Sequence, residues 1–278
     1  MHHPVPGLEQ GPAPDDTRPD LSDKDDPMTY PMATAGKAAA LAVVEATRAL
    51  ELALHYAGSS CDLEQSIEPG GCRLRLTPAP ALPWLLGDVQ GNLLSDRIIA
   101  AVTRIEQPLP CPGPDLVIEP ASTQDIRALG RLVESSLTEV QKAALQLHRA
   151  FARSGFERRV GVQNDVIEAG VIEASTFDTE DATHLYRILG GDELALCDLD
   201  LSDWRDHERF ATHLQKTMHT ATGRPLLVES RPTCGHCRDQ HGGNRIRIDF
   251  LDTDDALALA AALKAPNAPV GPILTQGV

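Results

Sequence analysis

Residues 122–151 read STQDIRALGRLVESSLTEVQKAALQLHRAF, and this stretch has the longest helical pattern in the chain. Ser122 has the side chain of a good N-cap, and Asp125 follows in the first turn. Apolar side chains then recur every three or four residues, at Ile126, Leu129, Val133, Leu137, Val140, Ala144, Leu147 and Phe151. Because this spacing keeps them on one face, the sequence predicts a single helix over 122–153, about 45 Å long at 1.5 Å per residue.

This apolar face, which we call the seam, covers residues 126–151 and has two interpretations. It can pack inside the chain, as the apolar face of a globular helix does. It can also pair with a second copy of the chain or with a protein partner, as in a coiled coil. Two successive steps of four residues interrupt a strict heptad repeat. The pattern therefore favours internal packing, and a dimer formed through the seam is the alternative.

The segments on either side of the seam predict a mixed α+β fold. Residues 33–157 predict a mainly helical domain, in which 94–105 has helical spacing and 73–77 is one short strand. Residues 158–264 alternate strands and helices, which predicts an α/β domain with a small mixed sheet of strand-strand-helix units. One of these strands is predicted over 194–199.

The two ends of the chain have the composition of unstructured tails. Residues 1–32 contain seven Pro, and their seven Asp or Glu oppose only two Lys or Arg. Such an acidic, Pro-rich segment buries too little apolar surface to offset its ordering entropy, so we expect it to be disordered. Translation from Met28 or Met32 is an alternative to a disordered tail. Residues 265–278 contain three further Pro and predict a loose tail.

Two pieces of the predicted α/β domain resemble each other at an offset of 74 residues, FDTEDA at 177–182 and LDTDDA at 251–256. In each piece, an Asp precedes a predicted helix, and a second carboxylate lies in its first turn, where the helix dipole favours it. These carboxylates are Asp178, Asp181, Asp252 and Asp255. The pattern favours capping over catalysis, and it has two possible origins, a duplicated unit or independent capping.

Charge and composition exclude several classes of function. The formal net charge is −15, which disfavours nucleic acid and anionic membranes as partners, because phosphate binding needs clustered Lys and Arg. The sequence shows neither an apolar run of membrane-spanning length nor a secretion signal. Six Cys in 278 residues do not suggest a disulfide scaffold, so we expect reduced thiols and a cytoplasmic location.

Residues 233–241 read TCGHCRDQH and place two thiols and two imidazoles between two predicted strands. Thiolate and neutral imidazole are ligands that zinc prefers, and Cys-x-x-Cys lets two sulfur atoms meet one ion. The candidate metal ligands are the pair Cys234 and Cys237, with His241 or His236 as the third. Cys197 is a candidate for the fourth ligand. The sequence therefore predicts a hairpin held by zinc, with an unmetallated polar hairpin as the alternative.

The tetrapeptide Cys-Gly-His-Cys at 234–237 resembles the active-site motif of the protein disulfide isomerases, and the resemblance covers these four residues. It implies a reactive dithiol whose first Cys begins a helix. Residues 238–243 instead lead into a predicted strand over 245–250, which leaves no room for that helix. We therefore favour zinc binding over thiol–disulfide exchange.

Other catalytic motifs are missing from the sequence. It has no phosphate-binding loop, dinucleotide fingerprint or nucleophile elbow, and His207, His213 and His219 lack the spacing of a helical zinc-protease site. The leading hypothesis is a non-enzymatic binding or regulatory protein with a structural zinc. The alternative is an enzyme of an unrecognised family that uses 234–241 as a catalytic zinc or thiol site, since three protein ligands leave one position open.

Overall fold

The computed structural model describes residues 31–265, apart from 60, 66–71, 77–81, 86, 106–114, 157–159, 164–169, 175 and 234–242. The described residues form seven α-helices and nine β-strands, and the strands make three antiparallel sheets. The predicted mixed α+β class is confirmed. Neighbouring strands run antiparallel in all three sheets, and most of the paired strands are consecutive in the chain.

The helices are α1 Pro31–Tyr56, α2 Val89–Ser95, α3 Thr123–Ser136, α4 Glu139–Arg153, α5 Thr179–Ile188, α6 Trp204–Thr222 and α7 Thr253–Lys264. The strands are β1 Cys61–Gln65, β2 Cys72–Leu76, β3 Ala100–Ile105, β4 Asp115–Pro120, β5 Val160–Gln163, β6 Val171–Ala174, β7 Phe177–Asp178, β8 Val228–Arg231 and β9 Arg245–Ile248. Two short 3-10 helices, Pro83–Leu85 and Glu193–Leu196, lie between them.

The chain divides into two units, Met1–Ala39 and Ala40–Val278, and every contact described below lies within the second. Helix α4 of the predicted helical domain packs along α7 of the predicted α/β domain. The boundary between residues 157 and 158 stays a prediction. The tails predicted over 1–32 and 265–278 lie almost wholly outside the described residues.

The single helix predicted over 122–153 is wrong, because the structure has two helices there. Leu137 has an extended ψ of 145°, and α4 restarts after Thr138. The Thr138 side chain accepts a hydrogen bond from the N–H of Gln141, and the Gln141 side chain accepts one from the N–H of Thr138. This capping box satisfies amide groups that would otherwise be unpaired at a new helix start. It therefore stabilises a break that the apolar spacing does not reveal.

The seam is buried within the chain despite this break. Seven of its eight side chains are buried, and Val140 is partly buried against them. The rings of Phe151, Phe156 and Phe177 meet beside its end, with centroids 5.6 to 5.9 Å apart. These observations favour internal packing, the first of the two interpretations.

A four-stranded antiparallel sheet, in the order β1-β2-β4-β3, occupies residues 61–120, where the sequence predicts one short strand and one helical segment. The strand predicted over 73–77 is confirmed as β2. The helical pattern over 94–105 is wrong beyond α2. Leu94 is 55% exposed, whereas Ile98 is buried, so the two do not share one apolar face. Arg97 turns the chain between them with a φ of 59° in the left-handed region, and β3 begins three residues later.

The second half of the chain agrees more closely with its pattern, although its strands form two antiparallel sheets, β5-β6 and β7-β9-β8, rather than the predicted small mixed sheet. An antiparallel hairpin followed by an Asp-capped helix occurs twice, as β5-β6 with α5 and as β8-β9 with α7. Asp178 accepts a hydrogen bond from the N–H of Asp181 at 2.8 Å, and Asp252 accepts one from the N–H of Asp255 at 2.7 Å. The predicted capping roles are confirmed, while duplication stays a prediction.

The strand predicted over 194–199 is wrong. Glu193–Leu196 is a 3-10 helix, because the Asp192 carboxylate accepts a hydrogen bond from the N–H of Leu194 and starts a tight turn. Cys197 follows at the end of this turn with an exposed thiol. It is therefore not a buried strand residue.

Candidate functional site

The predicted zinc ligands Cys234, His236, Cys237 and His241 lie outside the described residues. Within the part of the chain that the structure describes, no group of three His, Cys, Asp or Glu side chains is placed to hold a metal ion. The chain is described on both sides of the candidate loop, 234–242.

The base of the loop is closed by strands and by side chains. β8 and β9 pair antiparallel, and Arg231 lies opposite Arg245 at the end of the ladder nearest the loop. Beyond them, the Thr233 hydroxyl donates to the carbonyl O of Gly243 at 2.9 Å, and the Thr233 N–H donates to Oδ1 of Asn244 at 3.2 Å. The two ends of the loop are thus held together.

Asn244 also connects this base to two neighbouring elements. Its buried amide Nδ2 donates to the carbonyl O atoms of Leu201 and Ser202, each at 3.3 Å, in the turn before α6. Its own carbonyl O accepts a hydrogen bond from the Thr179 hydroxyl at the start of α5, at 3.2 Å. A buried amide with both of its polar atoms paired fixes orientation, because an unpaired group would cost free energy.

His207 on α6 makes a second buried polar contact with the hairpin. Its side chain is 0% exposed, and Nδ1 lies 2.7 Å from the hydroxyl oxygen of Ser230 on β8. Nε2 is buried with no hydrogen-bond partner within the described ranges. Burial lowers the pKa of His207, which favours the neutral ring. A neutral imidazole therefore holds a strand hydroxyl against the helix.

A shallow groove of about 620 Å³ runs between α6 and β8. Its walls are Glu208, Ala211 and Thr212 on the helix and residues 228–231 on the strand. Arg231 forms an ion pair with Glu229 at 2.8 Å, so these two charges compensate each other. Glu208 makes no ion pair with any other described residue. Among the described residues of the groove, Glu208 is therefore the one charge without an ionic partner.

Sequence reasoning missed the residues that position this region. His207 was noted only with the other His residues of α6, although it shares the buried helix face with Phe210, Ala211 and Leu214. That spacing could have identified it as buried. For Asn244 and Ser230 the sequence offers no such signal, because their partners lie on elements distant in sequence.

The other described cysteines are free thiols in three environments. Cys61 is half-buried on β1, Cys72 is buried on β2, and Cys197 is exposed. Burial raises the pKa of the Cys61 and Cys72 thiols, which keeps them protonated near neutral pH. Because the thiolate is the nucleophilic form, this burial lowers the reactivity of both thiols.

The chain matches no protein-family model, no curated protein and no solved structure. None of the helices in the described part of the chain is both long enough and apolar enough to cross a membrane.

Proposed function

We propose that this chain is a non-enzymatic binding or regulatory protein in which one zinc ion holds the loop between β8 and β9. The observation that supports this is the closed base of the loop, where Thr233 donates to both Gly243 and Asn244. The proposed ligands within the loop are Cys234, Cys237, and His241 or His236. A loop with joined ends has less entropy to lose when its side chains converge on an ion.

In this proposal, zinc supplies folding free energy rather than a reactive group. Cys and His side chains are the donor set of structural zinc sites, and at such sites the free energy of metal binding is free energy of folding. The ion would stiffen the hairpin, and with it the strand that borders the groove. A reducing cytoplasm fits the proposal, because it keeps both Cys thiols available to metal.

The proposed partner is a protein. The net charge of −15 disfavours nucleic acid and anionic lipid. Because the seam over 126–151 is buried, self-association through it would require α3 and α4 to leave the core. We therefore place the partner contact on the hairpin side of the molecule, where polar groups and the groove lie.

The first test is the zinc content and stability of the full chain, purified under reducing conditions with zinc present. We expect one zinc per chain in the wild type. The double variant Cys234→Ser with Cys237→Ser should lose the metal and unfold at a lower temperature, and chelation of the wild type should lower its midpoint similarly. Cys61→Ala is the control, because Cys61 lies on β1, and it should keep its zinc.

The second test is zinc coordination, measured by X-ray absorption spectroscopy. Four protein ligands, two of them sulfur or three if Cys197 is the fourth, support the structural role. Three protein ligands and one water would instead favour the alternative, an enzyme with a catalytic zinc. Loss of zinc in Cys197→Ser would identify the fourth ligand. A chain that holds no zinc, and whose stability is the same in the double variant, contradicts the proposal.

A further inference from the structure

Strand β8 lies at one edge of the sheet β7-β9-β8, and some of its backbone groups point away from β9. The N–H of Asp249 donates to the carbonyl O of Leu227 at 3.0 Å. In an antiparallel pair, residues bonded in this way alternate with residues whose N–H and C=O point outward. The register therefore directs the backbone groups of Val228 and Ser230 to the outer edge.

The side chain of Gln215 confirms this direction. Its Oε1 on α6 accepts a hydrogen bond from the N–H of Val228 at 3.1 Å, so the helix satisfies the first outward amide. The N–H and C=O of Ser230 make no hydrogen bond with any other described residue. An unpaired edge amide and carbonyl are the groups to which another extended backbone can pair.

The groove places this edge beside one negative charge. Ser230 on β8 and Glu208 on α6 both line it, together with the small side chains of Ala211 and Thr212 on α6. Arg231 is compensated by Glu229, whereas Glu208 has no ionic partner within the described residues. The groove therefore offers a backbone donor, a backbone acceptor and a carboxylate to a ligand.

We propose that this groove binds an extended peptide segment of a partner protein, which adds as a strand beside β8 and places a Lys or Arg side chain against Glu208. Backbone pairing supplies affinity in such strand addition, and neighbouring side chains supply specificity. The inference rests on the proposed binding function but does not depend on zinc. A nucleic acid would meet an uncompensated carboxylate, and a second copy of the chain would bring a second Glu208 to the contact.

The charge is tested by selecting a random heptapeptide library displayed on phage against the full, zinc-supplemented chain. We expect enrichment of peptides that are rich in β-branched residues and contain Lys or Arg. On Glu208→Lys, the enriched peptides should contain Asp or Glu instead. Lys216→Glu is the matched control, because it changes the charge of the same helix outside the groove, and it should select the wild-type peptides. No enrichment on the wild type overturns the inference.

The backbone contact is tested at Ser230 with one enriched peptide. Ser230→Pro removes the outward N–H without removing a ladder hydrogen bond, which edge strands tolerate. Ser230→Ala removes the same hydroxyl but keeps the N–H. We expect the Ala variant to bind the peptide about 2- to 13-fold more tightly than the Pro variant, since one hydrogen bond contributes about 0.5–1.5 kcal/mol. Equal affinities contradict strand addition.

N-methylation of the peptide keeps the test decisive if Ser230→Pro does not fold. Methyl groups placed on successive backbone nitrogens should weaken binding at alternate positions, because only every second amide of an added strand faces β8. Uniform sensitivity or none overturns the inference. Zinc content is measured separately. A chain that holds zinc but binds no peptide refutes peptide binding in the groove alone. A chain that binds peptide but holds no zinc refutes only the structural zinc.

Discussion

The packed centre of the second unit and the base of the β8–β9 hairpin are both buried, but they bury different chemistry. In the centre, Phe151, Phe156 and Phe177 form a cluster of rings beside the contact between α4 and α7. At the hairpin base, polar side chains are buried beside apolar ones such as Ile246: His207 contacts Ser230, and Asn244 bonds to the turn before α6.

The two kinds of burial have different consequences: apolar burial mainly stabilises the fold, and paired polar groups mainly fix how its parts are oriented. Apolar burial contributes roughly 25 cal/mol per Å² and has little directional preference. A buried polar group contributes less to net stability, but it costs free energy in any arrangement that leaves it unpaired. The hairpin base therefore specifies where its loop and edge strand lie, whereas the ring cluster mainly holds the molecule together.

The largest expected effect comes from the ring cluster. Phe151→Ala should lower the free energy of unfolding by about 3–5 kcal/mol, because it removes a buried ring and leaves a cavity. Urea unfolding measures the change. Phe250→Ala is the control, because Phe250 is exposed, and it should change stability much less. Similar losses in both variants would remove the distinction between this cluster and the surface.

A smaller effect is expected at the hairpin base. Asn244→Ala should lower the free energy of unfolding by about 1–3 kcal/mol, because it leaves the Thr233 N–H and two carbonyl groups without their partner. Asn92→Ala is a matched control, since Asn92 donates one half-buried side-chain hydrogen bond, to Trp84 O. If both variants lose equal stability under urea, Asn244 has no special role.

A variant at the break between α3 and α4 tests how much the capping box, rather than the packing of the seam, stabilises that break. Thr138→Ala removes one half of the capping box and should cost about 1 kcal/mol. Thr212→Ala, on the exposed side of α6, is the comparison and should be nearly neutral. Differential scanning calorimetry can measure both. An unchanged melting temperature in Thr138→Ala would mean that packing alone holds the break.

The smallest expected effect is a pH dependence at the hairpin base. Burial lowers the pKa of His207 below its usual 6.5, so the folded state binds fewer protons there than the unfolded state. The resulting stability is present above pH 6.5 and falls as the pH drops toward the lowered pKa. His207→Asn should reduce this slope between pH 7.5 and 5.5 in urea unfolding. If stability changes with pH equally in the wild type and the variant, His207 is not the source of the pH dependence.

Much of the fold could be predicted where local chemistry and burial agree. The capping positions Asp178 and Asp252 were predicted and observed, because an N-cap depends on residues within one turn. The apolar positions after them are buried as their spacing indicates. The prediction of a single helix over 122–153 was wrong because the Thr138 capping box starts a new helix, although the apolar spacing continues across the break. The prediction of a strand over 194–199 was wrong because a short apolar run suits a strand as well as the 3-10 turn that forms there.

The candidate site divides in the same way. The Cys/His composition of 233–241 and the strands around it were recognisable from sequence, and the zinc itself stays a prediction. His207 could have been identified as buried from its helix face, but its contact with Ser230 could not, because 23 positions separate the two residues. Only the strand register shows that the Ser230 amide points away from β9.

The sequence by itself determined the α+β class, the capped helices, the apolar face of the seam and the location of the thiol–imidazole cluster. These features depend on neighbours within one or two turns, or on the periodicity with which side chains meet a core. The tertiary structure alone decided the sheet over 61–120, the anchoring of Asn244 and the groove between α6 and β8. Each of these joins segments that are distant in the chain, and such pairing is selected by the packing of the whole fold rather than by local preference.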